Sequence, residues 1–274
     1  MSGPSLVVDE PFRSLWAGKD PFVAVNALEG EVFRELEGRR TLRTEVGGRG
    51  YFVKIHYGVG WTEIIKNLLS LRLPVLGAEN EWRAIERLTE LGVGTMRSVA
   101  FGLRGRNPGR QQSFIITEEL APTVSLEDYC LGWQKCPPAL CLKRALITRV
   151  ARMARQMHAG GVNHRDFYIC HFLLHLDPAP TAEQFKLSLI DLHRAQLRAS
   201  LPRRWRDKDL AALYFSALDI GLTNRDLLRF LGAYFARPLR LVLRDEAPLF
   251  AHLARETRRL QARFNRKVAA GEMT

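Results

Sequence analysis

The chain has no uninterrupted apolar run near the ~20 residues that a helix needs to cross a bilayer, since even Leu210 to Leu222 is broken by Asp219. No helical membrane span is therefore expected, while association with a membrane surface stays open. The opening stretch MSGPSLVVDEPFRSLW lacks the basic n-region and apolar h-region of a secretory signal, so the expected compartment is the cytoplasm. Cysteine is scarce. Cys130, Cys136, Cys141 and Cys170 show neither framework spacing nor a C-x-x-C pair, which predicts reduced thiols. Cys170 and His171 are adjacent, but without a second ligand pair they match a zinc site poorly. Clustered aromatics of the kind that stack RNA bases on a sheet are also missing.

What is present suits a globular chain. With 274 residues and 46% hydrophobic side chains, there is ample material for a core in one large domain or two lobes. The net charge is +12, and it is uneven: from Leu192 to the end, 17 lysines and arginines face 8 carboxylates. Such a surface favours an anionic partner, whether nucleic acid, acidic lipid, acidic protein or phosphorylated sugar, or else is simply a soluble arginine-rich face.

Alternation and turn residues predict a strand meander in EVFREL, RRTLRTEV and YFVKIH, with turns at Glu37-Gly38 and Gly47 to Gly50. Residues 61 to 77 repeat apolar positions at helical spacing until Pro74, as a helix packed on the body or one lying in a membrane interface. A helix is expected from Glu79 to Leu91, a buried strand over residues 113 to 120, and a helix N-capped by Ser125. A long helix over 142 to 162 ends at a Gly-Gly stop. A hairpin of HFLLHL and KLSLIDL follows, and from Pro202 to Phe264 the pattern is helical. The expected fold is α+β and bilobal, with an N-terminal antiparallel sheet lobe over residues 1–120 and a mainly helical C-terminal lobe over 121–274.

Four charged residues stand where chemistry needs them. Lys54 lies between Val53 and Ile55, so a core strand presents a lysine on its other face; a surface strand lysine is the simpler alternative. Glu81, or failing it Glu79, begins the next helix and can aim at Lys54 or merely favour the helix dipole. Asp166 occupies the loop HRDFYICHFLL, held between a helix and a strand, and Asp191 ends the apolar run KLSLI. His164 is expected to pack that loop, and Arg165 to pair with a carboxylate or carbonyl.

Through HRD at 164–166, ID at 190–191, VKI around Lys54 and the connector FIITEEL, the chain resembles the protein-kinase-like superfamily. More narrowly, VNHRDFYICHFLLHL, IDLHRAQLR and RRWRDKDL resemble the lipopolysaccharide core heptose kinases, over about residues 10 to 265. The resemblance implies ATP and Mg²⁺ as cofactors and the first heptose of the inner core as acceptor. It implies that Lys54 contacts the α- and β-phosphates with Glu81 as its partner, and that Asp191 holds Mg²⁺. Asp166 would orient the acceptor hydroxyl, and the backbone of Glu118 to Leu120 would receive adenine. Members of this family associate with acyl carrier protein, which a basic chain with an amphipathic 61–77 segment suits; peripheral contact with the cytoplasmic membrane face is also implied, and nucleic acid is not.

Three departures accompany the resemblance. His171 stands where kinases place an asparagine for a second Mg²⁺, so it either ligates that ion or packs. EGEVFRELEG offers Gly30 and Gly38 but no GxGxxG, and DLH replaces DFG with no APE-like segment after it, which argues against an activation switch. Arg194, Arg198, Arg203, Arg204 and Arg206 suit an acidic core oligosaccharide or, equally, structural salt bridges. The competing readings are phosphotransfer to Kdo or another heptose, and a catalytically silent kinase-like scaffold.

Overall fold

The computed structural model describes residues 5–36, 38–58, 60, 77–105, 107 and 109–269. They form two compact units. One holds the described residues up to Arg87 with Met96–Leu120 and Leu192–Arg194; the other holds Leu88–Thr95, Ala121–Asp191 and the described residues from Ala195 onward.

The first unit is built on a six-stranded antiparallel sheet. In chain order its elements are β1 (Leu6–Val8), α1 (Phe12–Leu15), α2 (Pro21–Asn26), β2 (Glu31–Leu36), β3 (Arg39–Val46), β4 (Arg49–His56), α3 (Glu79–Glu90), β5 (Ser98–Arg104) and β6 (Gln112–Glu118). The strand order is β1-β5-β6-β4-β3-β2, so the expected meander forms one half and β4 lies in the interior. The strands β1 and β5 and the helices α1 and α2 were not expected from the pattern: β5 is a buried apolar run without alternation. The helix expected over 61–77 falls on residues 61–76, outside the described residues, as does Glu37 of the first turn.

Alternation along β4 separates its two faces. Tyr51, Val53 and Ile55 are buried with Leu42, Phe114 and Ile116 in a core that α1 and α2 cover through Phe12, Trp16 and Val25. Phe12 meets the Tyr51 ring edge-on at 5.1 Å, and Trp16 meets Phe114 at 5.9 Å. Lys54 therefore projects to the opposite face, in register with Thr41 and Ile115 on the neighbouring strands. There, Trp82 of α3 stacks on Phe101 at 4.6 Å, which fixes the helix carrying Glu81.

The second unit is mainly helical. It contains β7 (Thr123–Ser125), α4 (Leu126–Cys130), α5 (Leu140–Ala159), β8 (Val162–Asn163), β9 (Phe172–His175), β10 (Leu187–Leu189), β11 (Gln196–Leu197), α6 (Arg203–Ser216), α7 (Asn224–Phe235), α8 (Leu239–Asp245) and α9 (Ala247–Ala269). Ser125 caps α4 by accepting the Asp128 amide at 3.0 Å, as expected. After α5 the chain turns at Gly161, whose φ of +80° suits glycine and whose missing Cβ would otherwise strike the Arg198 carbonyl. β8 pairs with β11, and β9 lies between β10 and β7. These two small sheets hold both ends of residues 164–171. Among the described residues, no helix is long and apolar enough to cross a membrane.

Phe114 is fully buried and meets Trp16 and Phe22. Phe114→Ala removes a ring that the sheet cannot refill, so urea unfolding should show a loss of about 3–5 kcal/mol.

Candidate active site

In the first unit Lys54 donates from Nζ to Glu81 Oε1 at 2.6 Å. Glu81 is 1% exposed, and its Oε2 is buried without a hydrogen-bond partner. Glu79 instead pairs with Arg83 at 3.6 Å on the surface, so the helix offers Glu81 to the lysine. A carboxylate this buried is tolerable only beside a cation, and removing either partner leaves an uncompensated charge costing about 3–5 kcal/mol. Two residues beyond Lys54, His56 is buried, and burial followed by the charges of Arg39 and Lys54 pushes its pKa down to about 4. It is neutral at pH 7.

The end of β6 corrects one detail of the expected adenine contact. The sheet continues far enough that the Glu118 amide donates to the Arg97 carbonyl and the Glu119 amide to the Gly50 carbonyl, each at 2.9 Å. Neither amide is a spare donor. The Glu118 carboxylate reaches Arg97 at 3.1 Å, and Glu119 takes Arg43 through both oxygens at 2.9 and 2.7 Å.

In the second unit the loop carrying Asp166 is held by a residue that sequence reasoning missed. Asp209 of α6 is 1% exposed. Its two oxygens accept the backbone amides of His164 at 2.7 Å and Arg165 at 2.9 Å, and His158 Nε2 lies 3.3 Å away. His158 Nδ1 meets the Tyr234 hydroxyl at 2.8 Å. Because a carboxylate only accepts, Nε2 carries the His158 proton and Nδ1 accepts from the tyrosine. Nothing local in RRWRDKD marks Asp209 apart from its acidic neighbour Asp207; its role appears only when the helix docks.

With its amide anchored, Arg165 takes φ +75°, a left-handed conformation unusual for a side-chain-bearing residue. His164 is fully buried, as expected, and its Nε2 donates to the Ile190 carbonyl at 2.8 Å. Burial holds its pKa below the usual value, so the ring is neutral. Phe167 sits fully buried between His164 and Phe172, with ring centroids 5.7 and 5.3 Å away.

His171 joins the two acids. Its Nδ1 donates to the Asp166 carbonyl at 2.7 Å, and its Nε2 lies 3.4 Å from Asp191 Oδ2. The Ile190 amide in turn donates to the His171 carbonyl at 3.0 Å, while Asp191 itself is held at φ +62°. With Nδ1 committed, Nε2 can meet the Asp191 carboxylate as an imidazolium donor or as a lone pair sharing a cation with it. No group of three or more His, Cys, Asp or Glu residues suited to a metal occurs among the described residues. That donor set fits Mg²⁺ held by one carboxylate together with phosphate oxygens and water, which is the ordinary arrangement for this ion, and does not fit a metal caged by protein alone.

A separate cavity of about 500 Å³ opens inside the second unit, lined by Trp133, Ile147, Leu213, Phe230, Leu249 and Phe250 among others. Its wall is almost wholly apolar.

Residues 23–234 match the model of the lipopolysaccharide kinase (Kdo/WaaP) family. The chain belongs to this family. It is 65% identical over 261 residues to the lipopolysaccharide core heptose(I) kinase WaaP of Pseudomonas aeruginosa, covering 95% of this chain and 97% of the relative. The corresponding WaaP of Escherichia coli K12 is 57% identical, with 94% and 97% covered. A solved structure, WaaP in complex with acyl carrier protein, superposes with a TM-score of 0.83 at 61% identity, covering 93% of this chain and 98% of that one. The expected protein-kinase-like α+β fold is therefore the fold, and this member of the Kdo/WaaP family is a phosphotransferase.

The neutral His56 makes stability of this kinase pH-dependent. Its folded pKa of about 4 lies below the ordinary 6.5, so as pH falls the unfolded chain takes up the proton first. The contribution is complete above pH 6.5 and is lost progressively toward pH 4. Urea unfolding across that window should show a shallower fall in His56→Gln than in the parent.

Proposed function

We propose that this kinase transfers the γ-phosphoryl group of ATP to the first heptose of the lipopolysaccharide inner core, with Mg²⁺ as cofactor. The observation that carries the reading is the connected set Asp166, His171 and Asp191, in a chain 65% identical to a core heptose(I) kinase. Lys54, fixed by Glu81, takes the α- and β-phosphates as a point charge. Asp191 offers a carboxylate oxygen for Mg²⁺, which when bound offsets charge on the phosphate oxygens. Asp166 orients the acceptor hydroxyl and receives its proton as the new O–P bond forms. His171 steadies the Asp166 backbone and faces Asp191, so the orientation of both acids is set before substrate arrives. At the end of β6, the Glu118 carbonyl and Leu120 receive the adenine edge.

The test is transfer from labelled ATP to dephosphorylated inner-core lipopolysaccharide. Asp166→Asn should lower kcat by about 10²-fold or more, and Lys54→Met should lower kcat/KM at unchanged fold. Undiminished transfer by Asp166→Asn refutes the assignment, and transfer to Kdo or another heptose alone moves the acceptor.

Acyl carrier protein is the second partner in this proposal. Three observations support it: the relative solved in that complex, the +12 charge facing an acidic protein, and the apolar cavity of the second unit. A fatty-acyl chain is uniformly apolar, and this cavity offers it an apolar wall. The working location is the cytoplasmic face of the membrane. Intact mass of the natively purified kinase should reveal an acidic acylated companion; a preparation that is stable and active without one removes this partner.

A further inference from the structure

The five arginines after Asp191 divide once their partners are known. Arg203 and Arg206 both reach Glu246, at 2.9 and 3.1 Å, and both pair with Asp207. Their charge is neutralised within the fold. Arg194 belongs to the first unit. Arg198 and Arg204 are different, and Lys208 joins them.

These three cations gather on one indole. Measured to the nearest ring centroid of Trp205, Lys208 Nζ lies at 4.8 Å, Arg204 Cζ at 5.0 Å and Arg198 Cζ at 5.2 Å. The ring's quadrupole attracts each cation but neutralises none. Arg198 donates to the side-chain amide oxygens of Asn163 and Gln196. Among the described residues, no carboxylate pairs with Arg198, Arg204 or Lys208. Arg204 and Lys208 are also four residues apart on α6, a spacing at which like charges repel. Burial, and next the charge of Arg204, hold the Arg198 guanidinium below its ordinary pKa, while the Asp209 carboxylate offsets part of that. The indole Nε1 is buried without a hydrogen-bond partner.

Three like charges gathered on one ring repel one another, and one anion would offset that repulsion. The cluster is also tied to the catalytic loop. Asn163, which Arg198 holds, immediately precedes His164, and Asp209, which anchors that loop, follows Trp205 by one helical turn. We propose that Arg198, Arg204 and Lys208 on Trp205 form a subsite for an oxyanion, a carboxylate or phosphate, carried by the sugar acceptor. The inference rests on the acceptor being the acidic inner core. The two arginines supply planar forks for an oxyanion and the lysine a point charge. The subsite selects acidic acceptors over neutral sugars of similar shape.

The experiment compares two probes by calorimetry: the deacylated inner-core oligosaccharide, and the same molecule with its carboxylates reduced to alcohols and its phosphates removed. The parent protein should bind the acidic probe at least about tenfold more tightly, and Arg204→Gln/Lys208→Gln should bind both alike. Arg204→Lys/Lys208→Arg, which keeps the charges, should retain the discrimination. In the transfer assay the Gln variant should raise the KM for acceptor while kcat and the KM for ATP stay unchanged. Both substituted residues are exposed, and a melting curve matching the parent confirms the fold. Equal binding of the two probes by the parent overturns the subsite. So does a variant whose only loss is adhesion to anionic phospholipid vesicles, which assigns the cluster to a membrane. If the parent discriminates between the probes yet phosphorylates no acceptor, the subsite stands and the proposed activity falls; transfer without discrimination gives the reverse.

Discussion

The buried carboxylate of Asp209 is the constraint on which the second unit's chemistry depends. One side chain accepts two consecutive backbone amides, His164 and Arg165, and so fixes the peptide immediately before Asp166. A neutral acceptor would hold the same amides less firmly, because charge-assisted hydrogen bonds are roughly twice as strong. The strain at Arg165 persists because this anchor over-determines it. His158 and Tyr234 complete the anchor's shell, and the hydroxyl of a tyrosine on α7 thereby supports the loop through His158 and Asp209.

The first unit solves a different problem, which is how to keep an ammonium group aimed and charged on an interior strand. Burial on one face of β4 forces Lys54 to the other, and α3 supplies a carboxylate that meets it. Trp82 on Phe101 sets the position of that helix, so an aromatic stack determines where a lysine points. The neutral His56 follows first from its burial, and then from the charges of Arg39 and Lys54.

Much of this was legible because strand alternation and helix caps are local. Val53, Lys54 and Ile55 declare the facing of β4, and Ser125 with Asp128 declares the start of α4. What stayed hidden depends on docking. Glu79 and Glu81 look alike in sequence, and only the packing of α3 chooses between them. β5 lacks alternation because its residues from Val99 to Gly102 are buried one after another. That the Glu118 and Glu119 amides are already engaged was hidden, because the length of a strand's pairing is not written in its own residues. Among the arginines, charge was visible, but which of them Glu246 and Asp207 would claim was not.

The anchor and the loop it holds are far apart along the chain: Asp209 lies 45 residues after His164. During synthesis the HRD segment therefore leaves the ribosome well before its clamp exists, and it has no local means of adopting the left-handed turn at Arg165. The anchor arrives only with α6. A nascent or truncated chain ending short of that helix would carry Asp166, the proposed base, without the carboxylate that anchors the two amides before it.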